Sequence, residues 1–498
     1  MSASSHNRSA SQRRNLGIAR PPDVVIVLVV LGAAALLGYF VGTGSDAWLY
    51  PLLAVVIIGL GIVLIQRSYV GLAFVAASLV LVDVLPDVPF INSIVTTIGG
   101  ATVVAYLLHG RWKSSVPVDE LRKGIKLDKL LVVALWMLIW VLISVATHAN
   151  PTGTPYSTAL TFVQLFVLLW LVGRIFENED DQFLFFLIFA ILVTISAFSA
   201  ITEVATPVTT GIIRASGLAG GANKATRYFT VDFVILLFLF LQRGKHHLPK
   251  WVTPVLIVAM IVNIGGVIAT ASRSGLALLA VATIVFLVLT LFAQRKRKVS
   301  PQAIAGIVAA VCVIGLASAV LLPSELVNNL DTRISRTEET DDTITTNVRL
   351  GFWRAGFDMW VDHPFDGVGV GLFSRFLPQY GAAYVPTHYL IYGAHNSYVA
   401  MLSETGLIGF VLFIAMHVVA LRWYWRALRG EDEQLAAYTA LWLTILVVIM
   451  IGGITKQDNY ERLLWLALGA SYYFKMRTKP RVLAEPALPE LEQASQKA

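Results

Sequence analysis

Residues 251–293 read WVTPVLIVAMIVNIGGVIATASRSGLALLAVATIVFLVLTLFA, two apolar runs (251–270 and 274–293) joined by a turn of a few residues that carries one charge, Arg273. Each run has about the 20 residues a helix needs to cross a bilayer. Two such runs on either side of so short a turn predict a transmembrane helical hairpin. The pattern recurs along the chain, with candidate spans at roughly 23–42, 47–66, 69–85, 90–108, 130–147, 157–175, 183–202, 227–242, 251–270, 274–293, 302–322, 396–421, 435–453 and 460–474. Composition agrees: 56% of the 498 residues are hydrophobic and 14% are charged, against about 45–50% and about 25% in soluble proteins. Mean hydropathy is +0.71. The expected fold class is all-α, a polytopic integral membrane protein of about 12–14 transmembrane helices, with one long external loop that contains an amphipathic helix.

The net charge of +7 reports orientation rather than nucleic-acid binding, because basic residues in a membrane protein mark the cytoplasmic side. The clusters Arg111–Lys129, Arg295–Lys298 and Arg422–Arg429 all fall on one side after alternating passes, so both termini are expected inside. The expected organisation is a cytoplasmic basic tail (1–22), an N-terminal transmembrane bundle (23–202), a central transmembrane region with external arginines (203–322), a long external loop (323–395), C-terminal transmembrane helices (396–474) and a cytoplasmic disordered tail (475–498). The first run follows Arg8, Arg13, Arg14 and Arg20, is long for a signal peptide and lacks a small-x-small cleavage site, which predicts an uncleaved span. The one cysteine, Cys312, excludes an intrachain disulfide and a CxxC metal site, and argues against redox chemistry.

Within the long loop, 331–346 is a polar tract. The stretch Asn347–Trp360 combines Phe352, Trp353, Phe357 and Trp360 with Arg349, Arg354 and Asp358, and predicts a helix that ends near Pro364. Its composition suits either a helix lying on the outer membrane surface or one packed inside a small external domain. Gly367, Gly369 and Gly371 have no strand-loop-helix context, so tight turning accounts for them better than nucleotide binding. Asp341 and Asp342 lack a third ligand, and no metal site is expected.

Ionisable groups beside spans are costly and mark function by default. The external face collects Arg214, Lys224, Arg273, Arg349 and His395. Histidine, with an ordinary pKa of about 6.5, is the side chain best suited to take a proton at neutral pH. Glu404 lies nine residues further on, on the opposite face of a helix and about 13 Å deeper, so it is an interhelical hydrogen-bonding group rather than an acid/base partner. Asp232 and Asp83 read as polar packing. Arginines gathered around one histidine on the external face suit an anionic, lipid-borne substrate such as a polyprenyl-diphosphate-linked sugar: guanidiniums bind phosphate oxygens and offset charge on a departing diphosphate. His395 would deprotonate the acceptor hydroxyl.

Residues 210–420 resemble the O-antigen ligase and polysaccharide polymerase (Wzy-type) superfamily of bacterial inner-membrane glycosyltransferases. The resemblance rests on Arg214–Leu218 followed by Asn223, on Ser272-Arg273-Ser274-Gly275, on Arg349 with Trp353, on Asp362-His363-Pro364-Phe365-Asp366-Gly367-Val368-Gly369, and on His395-Asn396-Ser397-Tyr398 leading to Glu404-Thr405-Gly406. The ten residues between His395 and Gly406 are similar to the family's histidine-ten-glycine signature, whereas Ala222 stands where the family has a proline before the asparagine. The resemblance implies transfer of a glycan from undecaprenyl diphosphate to an acceptor hydroxyl, with inversion and without a cofactor, on the external side of the inner membrane. His395 is then the general base, and Arg214, Arg273 and Arg349 are the diphosphate ligands. Lys224, Asn396 and Tyr398 are candidate substrate-binding residues. The partners implied are the undecaprenyl-diphosphate-linked glycan, a glycan, glycolipid or protein acceptor, and membrane lipid, with no nucleic acid. A ligase and a polymerase use the same donor and base. The alternative from another class is a transporter or flippase of an anionic lipid-linked substrate.

Overall fold

The structure is a computed structural model and describes residues 63–64, 66–80, 94–113, 128–148, 154–205, 215–294, 346–457 and 459–478. The expected spans at 23–42 and 302–322, most of 47–66, the tails up to residue 22 and beyond 478, Cys312, Asp83, Asp341, Asp342 and Arg214 lie outside the described residues. The described residues form helices and no strand. In chain order they are α1 (Ser68–Ala77), α2 (Ile94–Lys113), α3 (Lys129–Thr147), α4 (Thr154–Ile175), α5 (Glu179–Ala205), α6 (Ala222–Gln242), α7 (Val252–Ala269), α8 (Arg273–Ala293), α9 (Thr346–Asp362), α10 (Phe373–Gly381), α11 (Ser397–Leu428), α12 (Glu433–Gly452) and α13 (Arg462–Arg477). Eight of them, α3 to α8 with α11 and α12, are long and apolar enough to cross a membrane. The chain is a multi-pass membrane protein.

By contacts the chain divides into two units, residues 1–71 with 100–115, and residues 72–99 with 116–498. In the first, Gly71 lies close against the side chain of Thr102. The second holds everything that follows.

Which helices sit at the centre follows from their sequences. In α6 the apolar residues after Tyr228 occupy every face, and a helix hydrophobic all round must be covered all round. Its apolar window is 89% buried and that of α12 is 78% buried, against 22% for α8. Around α6 pack α5, α7, α8 and α12, and α11 packs against α3, α12 and α13. Asp232 inside α6 is fully buried and accepts a hydrogen bond from Thr194 Oγ1 (3.0 Å), which in turn accepts from Asn263 Nδ2 (2.9 Å), so α5, α6 and α7 are joined by polar packing.

The stretch after residue 345 folds as a small helical layer. α9 turns Val348, Phe352, Ala355 and Met359 into a core completed by Phe373, Leu377, Val385, Leu390, Val399 and Ala400. Its opposite face, about half a turn away at 100° per residue, exposes Leu350, Phe357 and Val361. The helix thus packs inside a small domain and also carries an apolar outer stripe.

That layer is fixed to the bundle by a break in α11. Gly406 has φ +62 and ψ −168 inside the helix. In an unbroken helix Leu407 N–H would donate to Ser403 O; here it donates to Pro364 O (2.9 Å), and Ser403 O accepts from Val368 N (2.8 Å). Gly369 N donates to Glu404 O (3.1 Å) and Trp140 Nε1 of α3 donates to Thr405 O (2.9 Å). The Glu404 side chain accepts from Gly371 N (3.0 Å) and Tyr460 Oη (2.6 Å), so it is the hydrogen-bonding group expected, but it joins α11 to two turns rather than to another helix. Gly367, Gly369 and Gly371 all have positive φ, so the glycine run serves turning.

A Cβ at position 406 would collide with the backbone of Phe365. At φ +62 and ψ −168 the backbone is in a region essentially reserved for glycine, which costs an ordinary residue roughly 1–3 kcal/mol. Gly406→Ala is therefore expected to lower the thermal unfolding temperature in detergent by several degrees. Gly244→Ala, where a Cβ meets nothing within 4 Å, is expected to leave it unchanged.

Candidate functional site

α6, α8 and α11 start at one end of the bundle, and the starts of α8 and α11 are built alike. Ser272 caps α8 by accepting from Gly275 N (3.1 Å), and Asn396 caps α11 by accepting from Tyr398 N (2.8 Å) and Val399 N (3.0 Å). The residue before each cap, Ala271 or His395, lies in the left-handed region at φ +48. Such backbone persists where its surroundings over-determine it, and it clusters at functional sites. The missing side chain of Gly275 lets the first turn of α8 press on Thr226 of α6. Three helix N-termini, each a region of partial positive charge, are gathered in this way at one place.

Between them lies a cavity of about 240 Å³. α6 contributes Asn223, Thr226 and Arg227; α9 contributes Arg349; the turn before α11 contributes His395; and the turn after α12 contributes Thr455 and Lys456. Ala277, Leu278 and Val281 of α8, with Ile451 of α12, form an apolar wall. The cavity is thus amphiphilic, lined by cations and a histidine together with aliphatic side chains.

The imidazole of His395 stacks on Phe352 of α9 (ring centroids 5.7 Å apart, planes at 21°), with Tyr392 on another side (6.2 Å). Burial first, and then the positive charges of Arg349 and Lys456, push its pKa down to about 4, so the ring is neutral at pH 7 and has a lone pair to offer. Burial also lowers the pKa of Arg349. A guanidinium is not deprotonated in proteins, so Arg349 stays cationic. Arg227 is buried and pairs with Glu461 at 3.6 Å.

Of the residues expected from the sequence, His395 and Arg349 meet in this cavity. Arg273 is the first residue of α8, beside the lining residue Ser274, in a turn as tight as its spacing predicts. Lys224, half-buried on α6, is not among the lining residues. Asn396 uses its side-chain oxygen as the cap of α11, and Tyr398 Oη donates to Met450 O of α12 (2.9 Å), so both hold the turn that carries His395. Arg227 and Lys456 were not singled out by sequence. The logic that selects Arg273 finds Lys456 too, as the lone basic residue of a short turn between two apolar runs on the same face.

These charges set a measurable titration. The His395 ring is expected to protonate with a midpoint near 4, read from imidazole NMR shifts in the full chain. Arg349→Gln should raise that midpoint while leaving it below 6.5, because burial, the larger cause, is unchanged. A midpoint at 6.5 in the unmodified chain would show an imidazole open to water.

Residues 256–414 match the family model described as O-antigen ligase. No curated protein matches the chain. The matched segment runs from α7 to the break in α11 and so contains Arg273, Arg349, His395 and Gly406. It supports an O-antigen ligase-like part in cell-surface polysaccharide biosynthesis and an enzyme of glycosyltransferase or ligase type. Over these residues the chain is similar to the O-antigen ligase family, which supports a likeness to the O-antigen ligase and polymerase superfamily.

Proposed function

We propose that the protein transfers a glycan from undecaprenyl diphosphate to an acceptor hydroxyl at the external face of the bacterial inner membrane, with both termini in the cytoplasm. The observation that carries this reading is the amphiphilic cavity, in which Arg349, Arg227 and Lys456 share a space with a neutral histidine and an aliphatic wall. A polyprenyl diphosphate has that division of character, an anionic head on an apolar tail. The diphosphate lies against Arg349 and the start of α8 at Arg273, with Arg214 as a further ligand. Their guanidiniums remain charged and bind phosphate oxygens bidentately, which stabilises the leaving group as its charge grows.

The neutral ring of His395 takes the proton of the acceptor hydroxyl. The acceptor oxygen forms the new bond to the anomeric carbon, the bond from that carbon to the phosphate oxygen breaks, and its electron pair leaves with the diphosphate, inverting the anomeric centre. General-base catalysis contributes about 10²- to 10⁴-fold.

The assay that tests this uses the purified full chain in detergent with lipid-linked glycan and candidate acceptors in EDTA. His395→Ala is expected to lose about 10²- to 10⁴-fold in kcat, and Arg349→Ala and Arg273→Ala should lose activity with retained folding. A single addition identifies a ligase; a ladder of products identifies a polymerase. Full activity of His395→Ala refutes the mechanism, and donor binding with no product from any acceptor favours transport of the lipid-linked substrate.

A further inference from the structure

Lys456 lies outside the family-matched segment and yet faces the same cavity as His395. Its place there is set by backbone. Ser397 N donates to Gly453 O (2.7 Å), Ser397 Oγ donates to Lys456 O (3.1 Å), and Tyr398 Oη donates to Met450 O (2.9 Å). The end of α12 and the turn after it are therefore laced to Ser397 and Tyr398, the two residues that follow His395 and Asn396, so the backbone that carries Lys456 is tied to the turn that carries His395. Among the described residues, the charged side chains that line the cavity with His395 are Arg349 from α9, Lys456 from this turn, and Arg227 of α6, which pairs with Glu461; Arg349 and Lys456 are the two that act on its proton equilibrium.

We propose that Lys456 is an additional donor-phosphate ligand and that, together with Arg349, it makes His395 a competent base only while the diphosphate is in place. The proposal rests on the reading of the cavity as a diphosphate site. Two cations beside an imidazole oppose a third positive charge. An anionic diphosphate lying on those cations cancels the opposition, and in a partly buried site the cancellation is strong because the effective dielectric is low. His395 then accepts the hydroxyl proton as the acceptor oxygen bonds to the anomeric carbon and the diphosphate takes the electron pair of the broken bond. When the diphosphate leaves, Arg349 and Lys456 again oppose the imidazolium, which gives its proton to water. Donor binding arms the base and product departure resets it, so the donor precedes the deprotonated acceptor.

Inorganic pyrophosphate added to the full chain in detergent is the probe, with the His395 imidazole signal assigned through His395→Gln. Pyrophosphate is expected to raise the His395 protonation midpoint by about one pH unit, a tenfold gain in proton affinity. Lys456→Met should weaken pyrophosphate binding about tenfold and, without ligand, raise the midpoint; Lys456→Arg should retain both properties, which separates charge from fold. With the full donor and acceptor, the acid limb of kcat, which reports the complex, should lie at higher pH than that of kcat/KM, which reports the free enzyme. Pyrophosphate binding that is unchanged in Lys456→Met, or that leaves the His395 midpoint unmoved, overturns the proposal while leaving the diphosphate site intact. Failure of the unmodified chain to bind pyrophosphate overturns both.

Discussion

In α11 the hydrogen bond that Leu407 N–H and Ser403 O would make with each other is exchanged for two bonds to a neighbouring segment, Leu407 to Pro364 and Ser403 to Val368. Backbone groups at membrane depth have no water to turn to, so a broken helix is stable there only when another part of the protein supplies the missing partners. The 364–371 turn supplies them, Trp140 of α3 takes Thr405 O, and Glu404 closes the arrangement through Gly371 and Tyr460. The exchange adds to the other bonds that tie the α9–α10 layer to the bundle, among them Val370 N to Ser144 Oγ of α3 (3.2 Å) and Gly369 N to Glu404 O (3.1 Å). With it, the residue that carries Arg349 is referenced through α9, its core and the glycine turn to the same helix whose start carries His395.

The site uses local chemistry that is expensive unless fastened. A histidine in the left-handed region stacked on Phe352, beside two cations, is strained in backbone and disfavoured in its charged form. The backbone strain is opposed by neighbours, the Asn396 cap and the ties from Ser397 and Tyr398 to the end of α12. The same scheme recurs at Ala271 and Ser272, which points to a common way of aiming a helix start and its adjoining residue at one cavity.

Much of this was legible in the sequence. The hairpin 251–293 shows two bilayer-length runs and a charged turn, and the structure has α7 and α8 there with Thr270, Ala271 and Ser272 between them. The role of Glu404 followed from helical geometry, and that of the glycine run from its lack of a nucleotide-binding context. What stayed hidden depends on three-dimensional closure. The helix break is invisible to hydropathy because glycine within an apolar run reads as span, and Arg227 looks like the edge of a span until α8 packs against it. The contacts by which Asn396 caps α11 and Tyr398 reaches Met450 of α12 likewise appear only in the fold. For α9 the composition admitted two placements because the helix has two apolar faces, one filled by the domain core and one exposed.

That second face bears on how the segment can be handled as a polypeptide. Residues 346–394 have a core, but two of its members, Val399 and Ala400, belong to α11, and the outward stripe of Leu350, Phe357 and Val361 is bare hydrocarbon. Cut out and produced alone in water, the segment would present apolar surface on both sides, where α11 was removed and where the stripe already stood. It is a domain by topology and a membrane part by solvation, and an antigen or binding fragment based on it needs an amphiphile to remain monodisperse.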